Sequence, residues 1–227
     1  MSKTLLISTA IAAVFSFSHG ALAQEAGWID RIHIKGFSTP PQGSRSQAFV
    51  RDQVIMQEVL ETVRGGAMEL ELADGSVFTL GPSAKVKIDE FVYDPATSAG
   101  TKTVSLVQGA LRYVSGDMDR AGVTLKTRSA TLGIRGTTLL LNIGRTGAET
   151  ISVVQGATTV NLSNGQSIDL NQGQSLLIDR TGDAVGVVNV VVPTPAAAVN
   201  RGLEEVEDDN DSSTGDEPSE GGEGGQL

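Results

Sequence analysis

From Val54 to Ile178 the apolar side chains return at every second position. Leu70 and Leu72 stand between Glu69 and Glu71, and Val86 and Ile88 stand among Lys85, Lys87 and Asp89. The pattern continues through Val104/Leu106, Leu111/Tyr113, Val123/Leu125, Leu139/Leu141/Ile143, Ile151/Val153, Val160/Leu162, Ile168/Leu170 and Leu176/Ile178. Period two with polar partners describes strands with one dry and one wet face. Turn residues punctuate the run: Asp74-Gly75, Gly81-Pro82, Ser115-Gly116-Asp117, Gly144, Asn164-Gly165, Gly173 and Gly182-Asp183. Only Gln53 to Val63 has a helical option, and its β-branched Val54, Ile55, Val59 and Val63 weaken it. The fold class read from this pattern is all-β.

The chain repeats itself at an offset of 90 residues, Val63–Asp89 against Val153–Asp179. Gly66-Ala67 matches Gly156-Ala157, Leu70 and Leu72 match Val160 and Leu162, Gly75 matches Gly165, and Ile88-Asp89 matches Ile178-Asp179. A third, partial copy is Val107-Gln108-Gly109-Ala110. Internal β repeats of this kind imply a shared unit. If each unit contains a hairpin around its glycine, a two-residue loop sets Leu70 against Thr79 and mixes the faces. Pairing Leu72 with Phe78 and Leu70 with Leu80 keeps them apart, as does Leu162 with Ile168 and Val160 with Leu170. That parity predicts an odd-length, bulged turn at both glycines. The competing arrangement has no local pairing, with the pieces as successive rungs or as crossing strands of two sheets.

The ends differ from this body. Residues 1–23 carry Lys3, an apolar run from Leu5 to Phe17 and a small Ala21-Leu22-Ala23 site, the order of a secretory signal peptide. The apolar run is shorter than the ~20 residues of a spanning helix, so no stable membrane insertion is expected after signal cleavage, and the location is periplasmic or secreted. Residues 24–53, broken by Pro40-Pro41 and Gly43, read as an irregular segment packing on a domain at 54–192. A Pro/Ala linker follows at 193–203. Residues 204–227 read as a disordered acidic C-terminal tail, too poor in apolar side chains to offset the entropy of ordering. The tail holds most of the charge: Arg201 to Leu227 has ten acids and one base, whereas Gln24 to Asn200 has 17 acids and 15 bases. A nearly neutral body gives no reason to expect nucleic acid as a partner. The chain has no cysteine, so its core must hold it without disulfides, and thiolate chemistry is excluded.

Three stretches together resemble the FecR domain family of bacterial envelope proteins. They are Leu72-Ala73-Asp74-Gly75-Ser76 with Leu80-Gly81-Pro82-Ser83 and Ile88 to Pro95, then Ser105 to Gly116, then Ala130-Thr131-Leu132-Gly133-Ile134-Arg135-Gly136-Thr137. The resemblance covers Val54 to Ile143 and, more loosely, the rest up to Asp179. It implies an extracytoplasmic β domain, a jelly-roll-like two-sheet sandwich with internal β repeats, the alternative being a β-solenoid-like stack. In the regulators that name the family this domain relays a signal from an outer-membrane receptor to a cytoplasmic sigma factor. Those regulators carry a cytoplasmic segment and a membrane helix. Only a few residues precede the apolar run here, so the expectation is a stand-alone exported domain without the anti-sigma segment. Its role is then non-enzymatic, in envelope signalling or protein recognition, with an envelope protein of unknown identity as partner.

The family motif Gly133, Ile134, Arg135, Gly136 and Thr137 is the candidate site, structural or interface in character, set in the reading between strand-like segments Val123–Thr127 and Leu139–Ile143. Arg135 offers a planar fork for carboxylates or carbonyls, or else ties down the turn around it. Asp74 and Asp94 read as turn-formers. Asp209, Asp211, Ser213, Glu217 and Glu220 partly imitate a calcium loop, but Thr214 stands where such a loop needs glycine. No metal and no cofactor is expected. Catalysis has little to work with: His33 is the one histidine after the signal, and no Gly-x-Ser-x-Gly elbow occurs. The alternative function is an extracellular carbohydrate- or surface-binding module, which the scarcity of Trp and Tyr disfavours.

Overall fold

The computed structural model describes residues 25–191 and Pro193. The signal peptide, the remainder of the linker and the acidic tail lie outside the described residues. The strands are β1 Glu25–His33, β2 Gly36–Thr39, β3 Ser46–Ala48, β4 Gln53–Ile55, β5 Val59–Thr62, β6 Ala67–Leu72, β7 Val77–Leu80, β8 Lys85–Asp94, β9 Ala99–Val114, β10 Val123–Lys126, β11 Ala130–Ile143, β12 Glu149–Leu162, β13 Ser167–Asn171, β14 Ser175–Ile178 and β15 Ala184–Val188. All belong to one hydrogen-bonded network. The described residues contain no α-helix and one 3-10 turn, Arg120–Gly122. The architecture is the all-β, sandwich-like body expected, with a closed barrel of five strands and further strands outside it.

The internal repeat is built as structure. At the same offset of 90, β6 superposes in sequence on the second half of β12, β7 on β13, and the start of β8 on β14. β6 pairs with β7 as β12 pairs with β13. Both hairpins close with three-residue turns. Leu72 donates its N–H to Ser76 O and Gly75 to Leu72 O, and Leu162 and Gly165 make the same bonds to Gln166 O and Leu162 O. The odd parity holds, but the register sits two residues from the one expected: Leu70 faces Phe78 and Val160 faces Ile168. Three-residue loops of this type end in a left-handed residue, here Gly75 and Gly165, with φ of 72° and 90°. These local antiparallel hairpins replace the alternative of stacked rungs. Among the described ladders one, β9 with β10, is parallel.

Three long strands change partners midway, and each does so at a glycine with positive φ. β9 pairs with β8 and β10 up to Gln108, then with β11 and β7 from Gly109 onward. β11 leaves β10 and joins β9 across Gly136, and β12 leaves β14 and joins β13 across Gly156. The φ values are 79°, 63° and 81°. Such bends let one strand serve two sheets and form the corner of a sandwich. The corners are also tight. A methyl at Gly109 would lie 2.6 Å from Ala84 Cα, and one at Gly156 would lie 2.3 Å from Gly136 O. In β9 the buried phase shifts at the corner, from Lys102, Val104 and Leu106 to Leu111 and Tyr113.

One expectation needs correcting. Residues 24–53 are not irregular: β1 lies between β6 and β4, and β2 pairs with β3 and β5. Register shifts at Glu25/Gly27 and Ile29/Arg31 put Ala26 and Ile29, three residues apart, in the core, so no period-two signal survives in the sequence. Gln53 to Val63, the one stretch with a helical option, follows its β-branched residues instead and forms β4, a turn with Gln57 at φ 67°, and β5. One continuous core runs from Ala26 through Phe78, Phe91, Tyr113 and Leu141 to Ile178, uniting both copies with the N-terminal strands.

Candidate functional site

Residues 133–137 do not join two strands; they lie inside β11, at its corner. Gly133 pairs with Thr124 and Thr159, and Ile134 pairs with Thr158 and is buried. The backbone of Arg135 pairs with Ala157, and its side chain lies outside the described set. The ladder to β12 slips between Arg135 and Thr138, which is how the corner absorbs the bend. Thr137 is locked to the end of β9: its N–H donates to Ser115 Oγ at 2.8 Å, and its carbonyl accepts from Ser115 N at 3.0 Å. The hydroxyl of Thr137 is buried with no hydrogen-bond partner among the described residues.

Arg120, in the 3-10 turn, lays its guanidinium over the corner, 3.4 Å from where a methyl on Gly136 would stand. It lines two shallow depressions, which also share Val123 and Ile134. One, of about 430 Å³, is lined by Tyr113, Ser115, Asp117, Asp119, Arg120 and Ile134, among others. The other, about 400 Å³, touches Arg120, Thr124, Gly133, Ile134 and Thr159. Asp117, Asp119 and Arg120 are exposed, so the rim is charged and the floor apolar. At Gly133 no atom lies within 4 Å of an added methyl, so this side of the corner is open.

Beneath the first depression lies a buried ion pair that the sequence reading missed. Lys102 Nζ donates to Asp74 Oδ2 at 2.6 Å and to Ser76 Oγ at 2.7 Å, and Ser76 Oγ donates to Asp74 Oδ1 at 2.6 Å. Both charged side chains are fully buried. The ammonium lies 5.4 Å from the Tyr113 ring and 5.8 Å from the Phe78 ring. Burial pulls Lys102 below the ordinary lysine range while Asp74 pulls it back, and burial pushes the Tyr113 phenol up to about 12. Asp74 forms the turn expected of it, through Ser76 N, and its carbonyl accepts from Asp117 N at 2.7 Å. A methyl on Gly116 would lie 2.1 Å from Asp74 O. The pair thus fixes the turn on which the 115–117 wall of the depression rests. Its sequence signal is Lys102 itself, a lysine in phase with buried Val104 and Leu106. Asp94 is also a turn-former, accepting from Ala96 N and Thr97 Oγ1.

His33 is exposed at the end of β1, opposite Ala67, and lines neither depression. Among the described residues no three His, Asp or Glu side chains group as metal ligands, and no helix is long and apolar enough to cross a membrane. The arrangement offers polar recognition over an apolar floor.

A family model described as FecR protein matches residues 58–159, from the start of the first repeat through the corner of β11 and into β12. The chain therefore carries a FecR-related domain. No curated protein matches it. Two crystal structures of a candidate anti-sigma factor from Parabacteroides distasonis, at 2.50 and 1.65 Å resolution, are similar at 16% identity with a TM-score of 0.47. The match covers 64% of this chain and 63–64% of that protein, less than two thirds of its length.

Proposed function

We propose that this chain is a non-enzymatic recognition module of the bacterial envelope, periplasmic or secreted, whose FecR-related domain takes a protein partner at the β11 corner. The observation that carries this reading is the coincidence of the family match with the corner. The matched region contains the bend, the arginine laid across it and the buried pair that supports the adjoining wall. A charged rim over an apolar floor suits a protein surface, where polar groups fix orientation and apolar contact supplies affinity. A signalling role fits the family.

A photo-crosslinking side chain at Gly133 tests it, with Gly186 as control, because both positions have open space for a side chain. The expected result is a discrete adduct from Gly133 in the envelope of the native cell. It should be competed by purified unmodified chain and lost in Arg120→Ala. The same adducts from both positions, or none from Gly133, would remove the corner as the binding surface. Fractionation with detection of the mature chain decides between periplasm and medium.

A further inference from the structure

At the far end of the β9–β11 ladder lies a larger cleft of about 760 Å³, built around the Gly109 corner and the 144–147 turn. Three arginines line it, Arg64, Arg128 and Arg145, together with Gln108 and Asn142, and its lining contains no acidic residue. All three arginines are exposed. Arg128 is held in place, its Nη2 donating to Gly147 O at 2.7 Å and to Arg180 O at 2.8 Å, with the buried Glu149 carboxylate 3.6 Å from its Nε. Arg64 and Arg145 have no ion-pair partner among the described residues. Guanidinium forks converging on a cleft are suited to carboxylates, which they take in bidentate pairs.

The chain carries its own carboxylates. Six of the eight residues from Glu204 to Asp211 are acidic. The attachment point is near. β12 starts at Glu149 beside the 144–147 turn, and Ser152, three residues on, faces Ser175, which in turn faces Val188 at the end of β15. Three residues of strand and two strand spacings place the chain's exit roughly 15 Å from the cleft. The eleven residue-to-residue steps from Pro193 to Glu204 span up to about 36 Å when extended. We propose that the acidic segment Glu204–Asp211 occupies the arginine cleft of the same molecule, masking it as an anion-binding surface. The inference is independent of the partner proposed for the β11 corner, since it uses other residues at the opposite end of the ladder.

The absence of cysteine allows a single labelled position in the full mature chain. A nitroxide on Ser212→Cys should broaden the backbone amides of Gln108, Gly109 and 144–147 at about 50 mM salt. The broadening should fade at about 0.5 M salt, where screening is short-ranged, and in Arg64→Ala/Arg145→Ala. Labelled chain mixed with unlabelled isotope-enriched chain should broaden nothing; broadening there would assign the cleft to a second copy's tail and overturn the intramolecular contact. Neutralising the six acids to Gln and Asn should strengthen binding of added hexaglutamate at least about tenfold at low salt. Uniform broadening over the surface, broadening unchanged in the arginine variant, or hexaglutamate binding unchanged by neutralisation would each refute the proposal.

Discussion

The two copies of the repeat share a backbone and differ in what they bury. In Val63–Asp89 the middle residue of the hairpin turn is Asp74, fully buried and bonded to Lys102; in Val153–Asp179 its counterpart is Asn164, exposed and bonded to Asp183 Oδ1 at 2.9 Å. Both side chains hold the turn in the same way, accepting from Ser76 N and Gln166 N. The first copy is interrupted between β5 and β6 around Gly66; the second runs through Gly156 as one bent strand. A turn device can therefore be repeated unchanged while its load is not. One copy anchors the core beneath the first depression with its buried pair, and the other flanks the corner with the strand that carries Thr159.

The widest separation between the copies is expected at their turn residues. Lys102→Ala leaves the Asp74 carboxylate buried without its partner, which costs about 3–5 kcal/mol. Asn164→Ala removes an exposed side chain with local bonds and should cost about 1 kcal/mol or less. Urea midpoints of the two variants measure the difference. Asp74→Asn combined with Lys102→Met should be less damaging than Lys102→Met alone, because it removes the stranded charge. Equal midpoints for Lys102→Ala and Asn164→Ala would mean that the buried pair supports nothing the other turn lacks.

The aligned glycines give the next contrast. Gly156→Ala combines a left-handed backbone with a methyl 2.3 Å from Gly136 O, at about 2–4 kcal/mol. Gly66→Ala meets Val63 Cγ2 at 3.0 Å and Lys35 O at 3.1 Å without a positive φ, and about 1 kcal/mol is expected. A larger loss at Gly66 would show that the break in the first copy, not the corner in the second, is the tighter join.

The period-two pattern made the strands legible because each has one buried face over most of its length. The 90-residue repeat, the odd turns and Asp74 as a turn-former were legible for the same reason: they are local. The hairpin register was not, since Leu70 opposite Phe78 and Leu72 opposite Phe78 keep the faces equally well. β1 was hidden by two bulges that dephase its apolar residues. The corner at Gly136 read as a turn between strands, because a bend inside a strand and a loop between strands ask for the same glycines. Lys102 stood in a buried phase in plain view. Its partner lies 28 residues away in a hairpin turn, and no strand pairing sets the two side by side: Lys102 pairs with Phe91 and Val123 and reaches Asp74 through its side chain.

Alkaline pH acts on the first copy's surroundings. Near pH 10 an unfolded tyrosine loses its proton, whereas Tyr113 keeps its own until about 12. Between those values the folded state binds more protons, so stability falls as pH rises, by up to about 2–3 kcal/mol for a two-unit gap. Lys102 acts in the opposite sense just below its ordinary value of 10.5, where its lowered pKa lets the folded state lose a proton first and stability gains with pH. Tyr113→Phe separates the two. Its unfolding free energy should fall less than the wild type's between pH 10 and 11.5, and parallel curves would show that the ring is not held neutral by burial.

The smallest effect tests whether the copies are interchangeable. Ser83 N donates to Val63 O at 3.0 Å, and Gly173 N donates to Val153 O at 2.9 Å, the same bond at the same offset. Both residues take a left-handed backbone, φ 54° for Ser83 and 83° for Gly173. The second copy thus has glycine where the first strains a serine. Ser83→Gly relieves about 1–2 kcal/mol of left-handed strain and gives back part of it, about 0.5–1 kcal/mol, in the entropy of the unfolded chain. A net gain of about 0.5 kcal/mol is expected, with Gly173→Ser showing a loss of similar size. Ser83 also offers its carbonyl to Gln108 Nε2 at 3.0 Å, at the edge of the arginine cleft. If Ser83→Gly destabilises instead, that contact needs the stiffer residue, and the first copy has been specialised here as it has at Asp74.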